Sequence, residues 1–99
     1  MSKTLCYVYI LANHIGGTIY VGSTSNLVVR VYQHKLGTAN SFTKKYKIDR
    51  LIYFEPFADL DAAVLREMQM KRWNRSWKVR LIEERNPNWI DLYPTIAGQ

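Results

Sequence analysis

The sequence predicts an α+β domain in which a small three-stranded antiparallel sheet is flanked by helices. Three runs of β-forming residues, at 7–11, 19–21 and 51–57, indicate the strands. The segments after residues 26 and 59 carry apolar residues at helical spacing, and each of them starts with a capping residue. The predicted element order is β-β-α-(α)-β-α-α.

Length and composition favour one soluble globular domain over residues 1–99. Hydrophobic residues make up 47% of the chain and charged residues 22%, and no apolar run is long enough to span a membrane. The formal net charge of +6 favours a polyanionic partner, nucleic acid first. Cys6, the single cysteine, excludes an internal disulfide and is typical of a reducing compartment, so we expect a cytoplasmic protein.

The first two strands are expected to form a hairpin closed by Gly16 and Gly17. Because side chains alternate along a strand, Tyr7 and Tyr9 lie on the same face of the first strand. The hairpin turn then brings Tyr20 of the second strand near Tyr9. Gly22 ends the second strand where the backbone approaches another group closely. A plain hairpin with tyrosines at the edge of the core is the alternative interpretation.

A first helix is predicted from the N-cap Asn26 to about Gly37. Arg30 and His34 are four residues apart, so they share a face, which we place at the rim of the core facing the hairpin. The polar segment 37–49 contains a short predicted helix at about 42–46. Three lysines in it form either a solvated loop or a phosphate-contacting edge, namely Lys44, Lys45 and Lys47.

The third strand, 51–57, is stopped by Pro56 or placed by it at a sheet edge. A long helix capped by Asp59 follows, from Leu60 to about residue 74. Its apolar residues are expected in the core: Ala63, Leu65, Met68, Met70 and Trp73. A last helix, 77–85, is expected to be capped by Ser76 and ended by Asn86 before a proline. The tail is expected to pack back on the domain through Trp89, Ile90, Leu92 and Tyr93.

Five of these features occur in an order that resembles the GIY-YIG nuclease superfamily. Tyr7-Val8-Tyr9 stands where that family has its GIY, although Tyr7 replaces the glycine, and Tyr20-Val21-Gly22 stands where it has its YIG. Arg30, His34 and Glu67 match the arginine and histidine of its first helix and the glutamate of its second long helix. The resemblance covers about residues 5–93 and is closest to small stand-alone members, the UPF0213-like proteins.

The resemblance implies an endonuclease that hydrolyses phosphodiester bonds, and it suggests a role in DNA repair. Tyr9 or Tyr20 would be the general base, and Arg30 would bind a phosphate. Glu67 is the only acid of the set, so one Mg²⁺, or another divalent cation such as Mn²⁺, is favoured over two. His34 would orient the nucleophile, relay a proton or cap its helix. Asn86 corresponds loosely to a late asparagine of the family, or simply stops its helix.

The expected partner is nucleic acid, DNA in preference to RNA, and no membrane. The residues expected to contact it are basic: Arg30, Lys44, Lys45, Lys47, Lys71, Arg72 and Arg75. The alternatives are a non-catalytic nucleic-acid-binding module on the same fold and an interaction domain unrelated to nucleic acid. In those cases Glu67 would be a helix-surface acid paired with Lys71. The sequence indicates no zinc spacing and no oligomeric state.

Overall fold

A computed structural model describes residues 5–98, so residues 1–4 and 99 of the predicted domain lie outside the described part. Within residues 5–98 the chain forms three strands and five helices. They are β1 (Cys6–Ala12), β2 (Ile19–Thr24), α1 (Leu27–Leu36), α2 (Ser41–Lys45), β3 (Arg50–Phe57), α3 (Leu60–Arg72), α4 (Arg75–Arg85) and α5 (Tyr93–Ala97). The predicted α+β class and element order are confirmed, with α5 as an addition.

The three strands form one antiparallel sheet in the order β2-β1-β3. Tyr9 of β1 pairs with Gly22 of β2, and Leu11 pairs with Tyr20. The register against β3 shifts between Ile10 and Leu11, where β3 carries one extra residue in a bulge. β3 is an edge strand and contains Pro56, which is one of the two placements that the proline predicted.

Each face of the sheet carries its own apolar cluster, because successive side chains of β1 point to opposite sides. Val8 and Ile10 pack with Met70 of α3 and Ile82 of α4 on one face. On the other face lies a cluster that includes Tyr9, Leu11, Leu27 of α1, Val31 of α1, Ile48 and Leu51. The predicted alternation in the first strand is therefore confirmed, and the tyrosine face is the one that α1 covers.

Side-chain caps fix the ends of the helices. Asn26 accepts a hydrogen bond from the Val29 backbone N–H at 3.2 Å, and α1 ends at Gly37, whose φ of 77° suits glycine. Asp59 caps α3 as predicted. The prediction for α4 was wrong, because Asn74 rather than Ser76 is its cap. Asn74 Oδ1 accepts from both the Trp77 N–H and the Ser76 hydroxyl, so Ser76 lies inside the first turn.

Helix α3 buries fewer of its apolar residues than predicted. Ala63 and Met70 are buried, whereas Leu65 is 58% exposed and Met68 is 51% exposed. Residues 63, 67 and 70 follow the helical i, i+4, i+7 spacing and therefore share one face. The sheet contacts that face, so Glu67 is turned toward the sheet and Met68 is turned toward solvent.

The tail packs back on the domain as predicted through buried Trp89 and through Leu92 and Tyr93, which pack against the cluster on the tyrosine face. Ile90, which was expected to pack as well, is exposed. The Asn86 side-chain amide donates to the carbonyls of Ile52 and Ile90, and its oxygen accepts the Ile90 N–H. Asp91 accepts from the Leu51 backbone N–H at 3.0 Å. Among residues 5–98, no helix is long and apolar enough to cross a membrane.

Candidate active site

Two tyrosines and a histidine meet on the face of the sheet that α1 covers. The hairpin register offsets Tyr9 and Tyr20 by two residues, so both rings lie on that face, with centroids 6.4 Å apart. The His34 ring of α1 lies 5.8 Å from the Tyr9 ring and 5.5 Å from the Tyr20 ring. Tyr9 is only 2% exposed, whereas Tyr20 is partly exposed. The predicted proximity of the two tyrosines is confirmed.

Gly22 makes this arrangement possible, because it lies directly opposite Tyr9. A Cβ atom at residue 22 would lie 2.6 Å from both Cζ and Oη of Tyr9. Carbon atoms do not approach that closely without a shift of one partner. The predicted close approach at Gly22 is therefore the approach of the Tyr9 ring to the neighbouring backbone. The prediction that Gly22 ends the second strand was wrong, because β2 continues to Thr24.

His34 is almost fully buried and uses both ring nitrogens. Its Nε2 lies 3.0 Å from Tyr9 Oη, and its Nδ1 lies 3.0 Å from Thr43 Oγ1. Burial, together with the positive charge of Arg30, lowers the pKa of His34 to about 4, so the ring is neutral near pH 7. The side chain does not cap α1, because Gly37 supplies that hydrogen bond from its backbone N–H.

The surroundings of Tyr9 shift the pKa of its hydroxyl in opposite directions. Burial raises the pKa of the Tyr9 hydroxyl above its ordinary value, and Tyr20 and Glu67 add to that effect, while Arg30 lowers the pKa. Burial dominates, so Tyr9 rests as the neutral phenol. A proton can leave Tyr9 only if a neighbouring group takes it.

Arg30 lies one helical turn before His34 and is partly exposed. Its charge acts on both Tyr9 and His34. Within residues 5–98 its guanidinium has no hydrogen-bond or ion-pair partner in the chain. Its donors are therefore available to an anion that enters beside the tyrosines.

Glu67 borders the same cluster from α3. Its Oε1 accepts a hydrogen bond from the Ser23 hydroxyl at 2.5 Å, and its Oε2 pairs with Lys71 Nζ at 2.5 Å. The Glu67 side chain is 18% exposed, so this carboxylate is held against the sheet although the pair with Lys71 has i, i+4 spacing. Lys71 Nζ also lies 5.9 Å from the centre of the Tyr20 ring.

The donor set at Glu67 suits one hard divalent cation. Within residues 5–98 no group of three or more His, Cys, Asp or Glu side chains could hold a metal ion. Mg²⁺ tolerates a single carboxylate because it keeps several waters and takes substrate oxygens as further ligands. The Lys71 ammonium already neutralises one oxygen of Glu67, so a metal cation would have to displace Lys71 to bind there.

The other basic residues lie on more than one surface. Lys44, Lys45 and Lys47 are exposed, and so are the paired rings of Phe42 and Tyr46, whose centroids are 5.0 Å apart. Arg72 is exposed at the end of α3. Arg75 donates to the carbonyls of Gly16 and Gly17 at 2.8 and 2.7 Å, so it also holds the hairpin turn.

Two of the other candidate residues, Tyr7 and Asn86, make contacts that explain their presence without a role in catalysis. Tyr7 lies edge-on to Phe54, with ring centroids 6.0 Å apart. Asn86 is occupied by the backbone groups of Ile52 and Ile90. The structure therefore brings Tyr9, Tyr20, Arg30, His34 and Glu67 together, and it gives Asn86 a role in holding the tail.

Two residues that contact the candidate site, and a third that contacts one of these two, were missed in the sequence. Ser23 bonds Glu67, Thr43 bonds His34, and Asn40 accepts from Thr43. Ser23 lies near the end of β2, and Thr43 lies among lysines in a five-residue helix. Local patterns carry no signal for these contacts, since each of the first two joins separate elements of the fold.

Comparison with known proteins identifies the family of the chain. Residues 5–80 match the GIY-YIG catalytic domain. A UPF0213 protein of Staphylococcus haemolyticus is 34% identical over 79 residues, which covers 80% of this chain and 95% of the relative. A UPF0213 protein of Pediococcus pentosaceus is 36% identical over 86 residues, covering 87% and 90%. No solved structure gives a significant match. On the match to the catalytic domain and on these relatives, the chain belongs to the GIY-YIG family, among its small stand-alone UPF0213 proteins.

Proposed function

We propose that this protein is a metal-dependent endonuclease that hydrolyses phosphodiester bonds in DNA, with one divalent cation, Mg²⁺ or Mn²⁺, held by Glu67. The observation that carries the proposal is the convergence of Tyr9, His34 and Glu67 beside Arg30, whose guanidinium has no partner among residues 5–98. Together these groups provide a proton acceptor, a phosphate ligand and a cation ligand, which hydrolysis of a phosphodiester requires.

Arg30 binds the scissile phosphate in this proposal. A guanidinium presents donors in a fixed fork that fits two phosphate oxygens. Partial burial of Arg30 on α1 would strengthen its interaction with the negative charge that develops on the phosphate.

Tyr9 acts as the general base with the help of His34. Because Tyr9 rests as a phenol, it accepts the proton of the attacking water only as its own proton passes to His34 Nε2, 3.0 Å away. Burial keeps the His34 ring neutral, so one ring nitrogen carries a lone pair that can receive this proton. Tyr20 is more exposed than Tyr9 and orients the water.

Glu67 is the cation ligand, and Ser23 holds one of its oxygens in place. Lys71 has to leave the second oxygen before a cation is bound there. When bound, the cation would stabilise negative charge on the phosphate and on the leaving oxygen. Lys71, 5.9 Å from the Tyr20 ring centre, is then free to contact the DNA backbone.

The surrounding lysines and arginines would contact DNA phosphates without reading bases. Lys44, Lys45 and Lys47 suit this role because all three are exposed. The buried thiol of Cys6, unpaired within the described residues, is compatible with a reducing compartment, and we place the protein in the cytoplasm.

The test is nicking of supercoiled plasmid across a Mg²⁺ titration, with wild type compared with Glu67→Gln. The substitution keeps the size of the side chain and removes its charge, so we expect nicking to vanish while DNA binding persists or tightens. Glu84→Gln is the matched control, because Glu84 is exposed on α4 away from the cluster. Circular dichroism checks that both variants fold. Undiminished nicking by folded Glu67→Gln would remove Glu67 from the site.

The pairing of Lys71 with Glu67 favours a second candidate function, a nucleic-acid-binding module without catalysis. In that case Lys71 neutralises the acid and the cluster serves only to bind a phosphate. The same assay separates the two functions. Wild-type protein that binds plasmid but does not nick it in Mg²⁺ or Mn²⁺ would establish the second.

A further inference from the structure

The hydrogen bonds beyond His34 determine which of its ring nitrogens carries the proton. Thr43 Oγ1 lies 3.0 Å from His34 Nδ1, and its hydroxyl proton has two acceptors on Asn40. These are Asn40 Oδ1 at 3.0 Å and the Asn40 carbonyl oxygen at 3.4 Å. Both acceptors lie on Asn40, so the hydroxyl proton points away from the histidine, and the Thr43 oxygen faces His34 as an acceptor.

A neutral imidazole has one donor and one acceptor nitrogen. If Nδ1 donates to Thr43, then Nε2 carries no proton and accepts the hydrogen bond from the Tyr9 hydroxyl. The four side chains form one chain of donors that runs in a single direction, from Tyr9 through His34 and Thr43 to Asn40. The opposite direction would leave the oxygen atoms of Asn40 without the Thr43 hydroxyl.

We propose that Thr43 and Asn40 are positioning residues that hold His34 in the tautomer with Nδ1 protonated, so that Nε2 is free to accept a proton from Tyr9. The catalytic consequence rests on the proposed nuclease function. The tautomer itself does not, since it follows from hydrogen bonds within the folded chain.

The surroundings of Thr43 suit this role. Thr43 is 2% exposed although its neighbours on α2 are exposed lysines and Phe42. Asn40 is the N-cap of α2, and its Oδ1 also accepts the Thr43 backbone N–H at 2.8 Å. The Thr43 carbonyl accepts from the Ile48 N–H at 2.9 Å, and Ile48 is buried in the same core cluster as Tyr9. The short helix is thus fixed at both ends around the one threonine that contacts His34.

The test is ¹⁵N NMR of the histidine ring in the whole protein at neutral pH, where protonated and unprotonated ring nitrogens have widely separated shifts. We expect wild type to show Nδ1 protonated and Nε2 bare. Thr43→Val keeps the shape of the side chain but removes the acceptor. The ratio of the two tautomers should then shift at least about fivefold toward Nε2–H, because a buried Nδ1–H without a partner is disfavoured.

Thr43→Ser retains the hydroxyl and should retain the wild-type tautomer. Thr38→Val is the matched control, since Thr38 bonds the Gln33 carbonyl in an exposed position and the same chemical change there should leave His34 unaffected. A wild-type ring protonated on Nε2 would overturn the inference, and so would an unchanged tautomer in folded Thr43→Val. The wild-type measurement decides the question even if Thr43→Val does not fold.

Plasmid nicking adds the catalytic readout. Thr43→Val should lower turnover at least about tenfold, because it removes part of the rate increase that a positioned proton acceptor contributes. Its affinity for DNA should be nearly unchanged, and Thr43→Ser should have wild-type activity. Wild-type protein that never nicks would refute the nuclease function while the NMR result still decides the tautomer. Full turnover in Thr43→Val with a shifted tautomer would refute the catalytic part of the inference alone.

Discussion

Gly22→Ala should damage both the stability and the candidate site, because it places a methyl group against the ring of Tyr9. The added Cβ would lie 2.6 Å from Cζ and Oη of Tyr9, about 1 Å closer than ordinary van der Waals contact. Tyr9 is 2% exposed and its ring packs against the rings of Tyr20 and His34, so it has little open space into which to move.

Overpacking of a filled core typically costs about 1–3 kcal/mol. For a domain of this size each kcal/mol lowers the unfolding temperature by roughly 4–8 °C. A shift of the Tyr9 ring also lengthens the 3.0 Å contact between Tyr9 Oη and His34 Nε2. We therefore expect a fall in the unfolding temperature together with loss of nicking.

Thermal unfolding followed by circular dichroism measures the first effect, and a double-mutant cycle with Tyr9→Leu assigns it. In the Tyr9→Leu background the ring is gone, so Gly22→Ala should cost much less, with a coupling of about 1 kcal/mol or more. Equal costs of Gly22→Ala in both backgrounds would refute the contact with Tyr9 as the cause. An unchanged unfolding temperature would refute the close packing itself.

Two further predictions concern DNA. Arg30→Ala should lower turnover at least roughly a hundredfold with little change in stability, because it removes one charge contact to the transition state. Arg80→Ala is the control, since Arg80 is exposed on α4. Equal losses of stability and activity in Arg30→Ala would indicate a structural role. Log affinity for DNA should fall linearly with log salt, by about 0.9 per phosphate neutralised, and less steeply in the double variant Lys45→Ala/Lys47→Ala; a flat salt response in wild type would contradict electrostatic binding.

The sequence predicts the parts of this fold that local rules control. The hairpin follows from two β-forming runs around Gly16, and the bounds of α1 follow from a capping Asn26 and a terminal Gly37. The five-part site set was predicted from the resemblance to the GIY-YIG family instead, and the structure brings those residues together. The departure of Tyr7 from the family glycine is accommodated, since its ring packs against Phe54 at an edge of the sheet.

Other features of the fold and of the site depend on contacts between separate helices and strands, which local sequence patterns do not indicate. Asn74 and Ser76 are both good capping residues, and only the path of the chain out of α3 decides between them. Leu65 and Met68 have suitable spacing for a core face, but the sheet contacts the face that carries Glu67 instead. The bond between Thr43 and His34 joins residues nine positions apart across a loop whose conformation the sequence does not indicate.

The pH dependence of stability should carry the signature of buried His34. Its pKa is lowered to about 4 in the folded protein, by burial and by Arg30, from an ordinary value near 6.5. Between pH 4 and pH 6.5, His34 is protonated in the unfolded chain but stays neutral in the folded protein. The stability contribution of the neutral ring is therefore complete above about pH 6.5 and is lost as the pH drops toward 4. The shift corresponds to about 3 kcal/mol at most, at 1.36 kcal/mol per pH unit.

Urea unfolding between pH 7.5 and 4.5 measures this loss, and His34→Gln tests its source. Glutamine does not titrate, so the variant should be less stable at pH 7.5 but should lose much less stability on acidification. His14→Gln is the control, because His14 is exposed in the hairpin turn and its removal should leave the wild-type dependence of stability on pH in place.

The titration of Glu55 does not interfere with this comparison of wild type and His34→Gln. Burial alone would raise its pKa, but hydrogen bonds from Arg66 and Tyr53 lower it below its ordinary value of 4.5, so its contribution is lost at still lower pH. If His34→Gln and wild type lose the same stability between pH 6.5 and 4.5, His34 is not the group that titrates, and the neutral ring on which the proton relay depends loses its support.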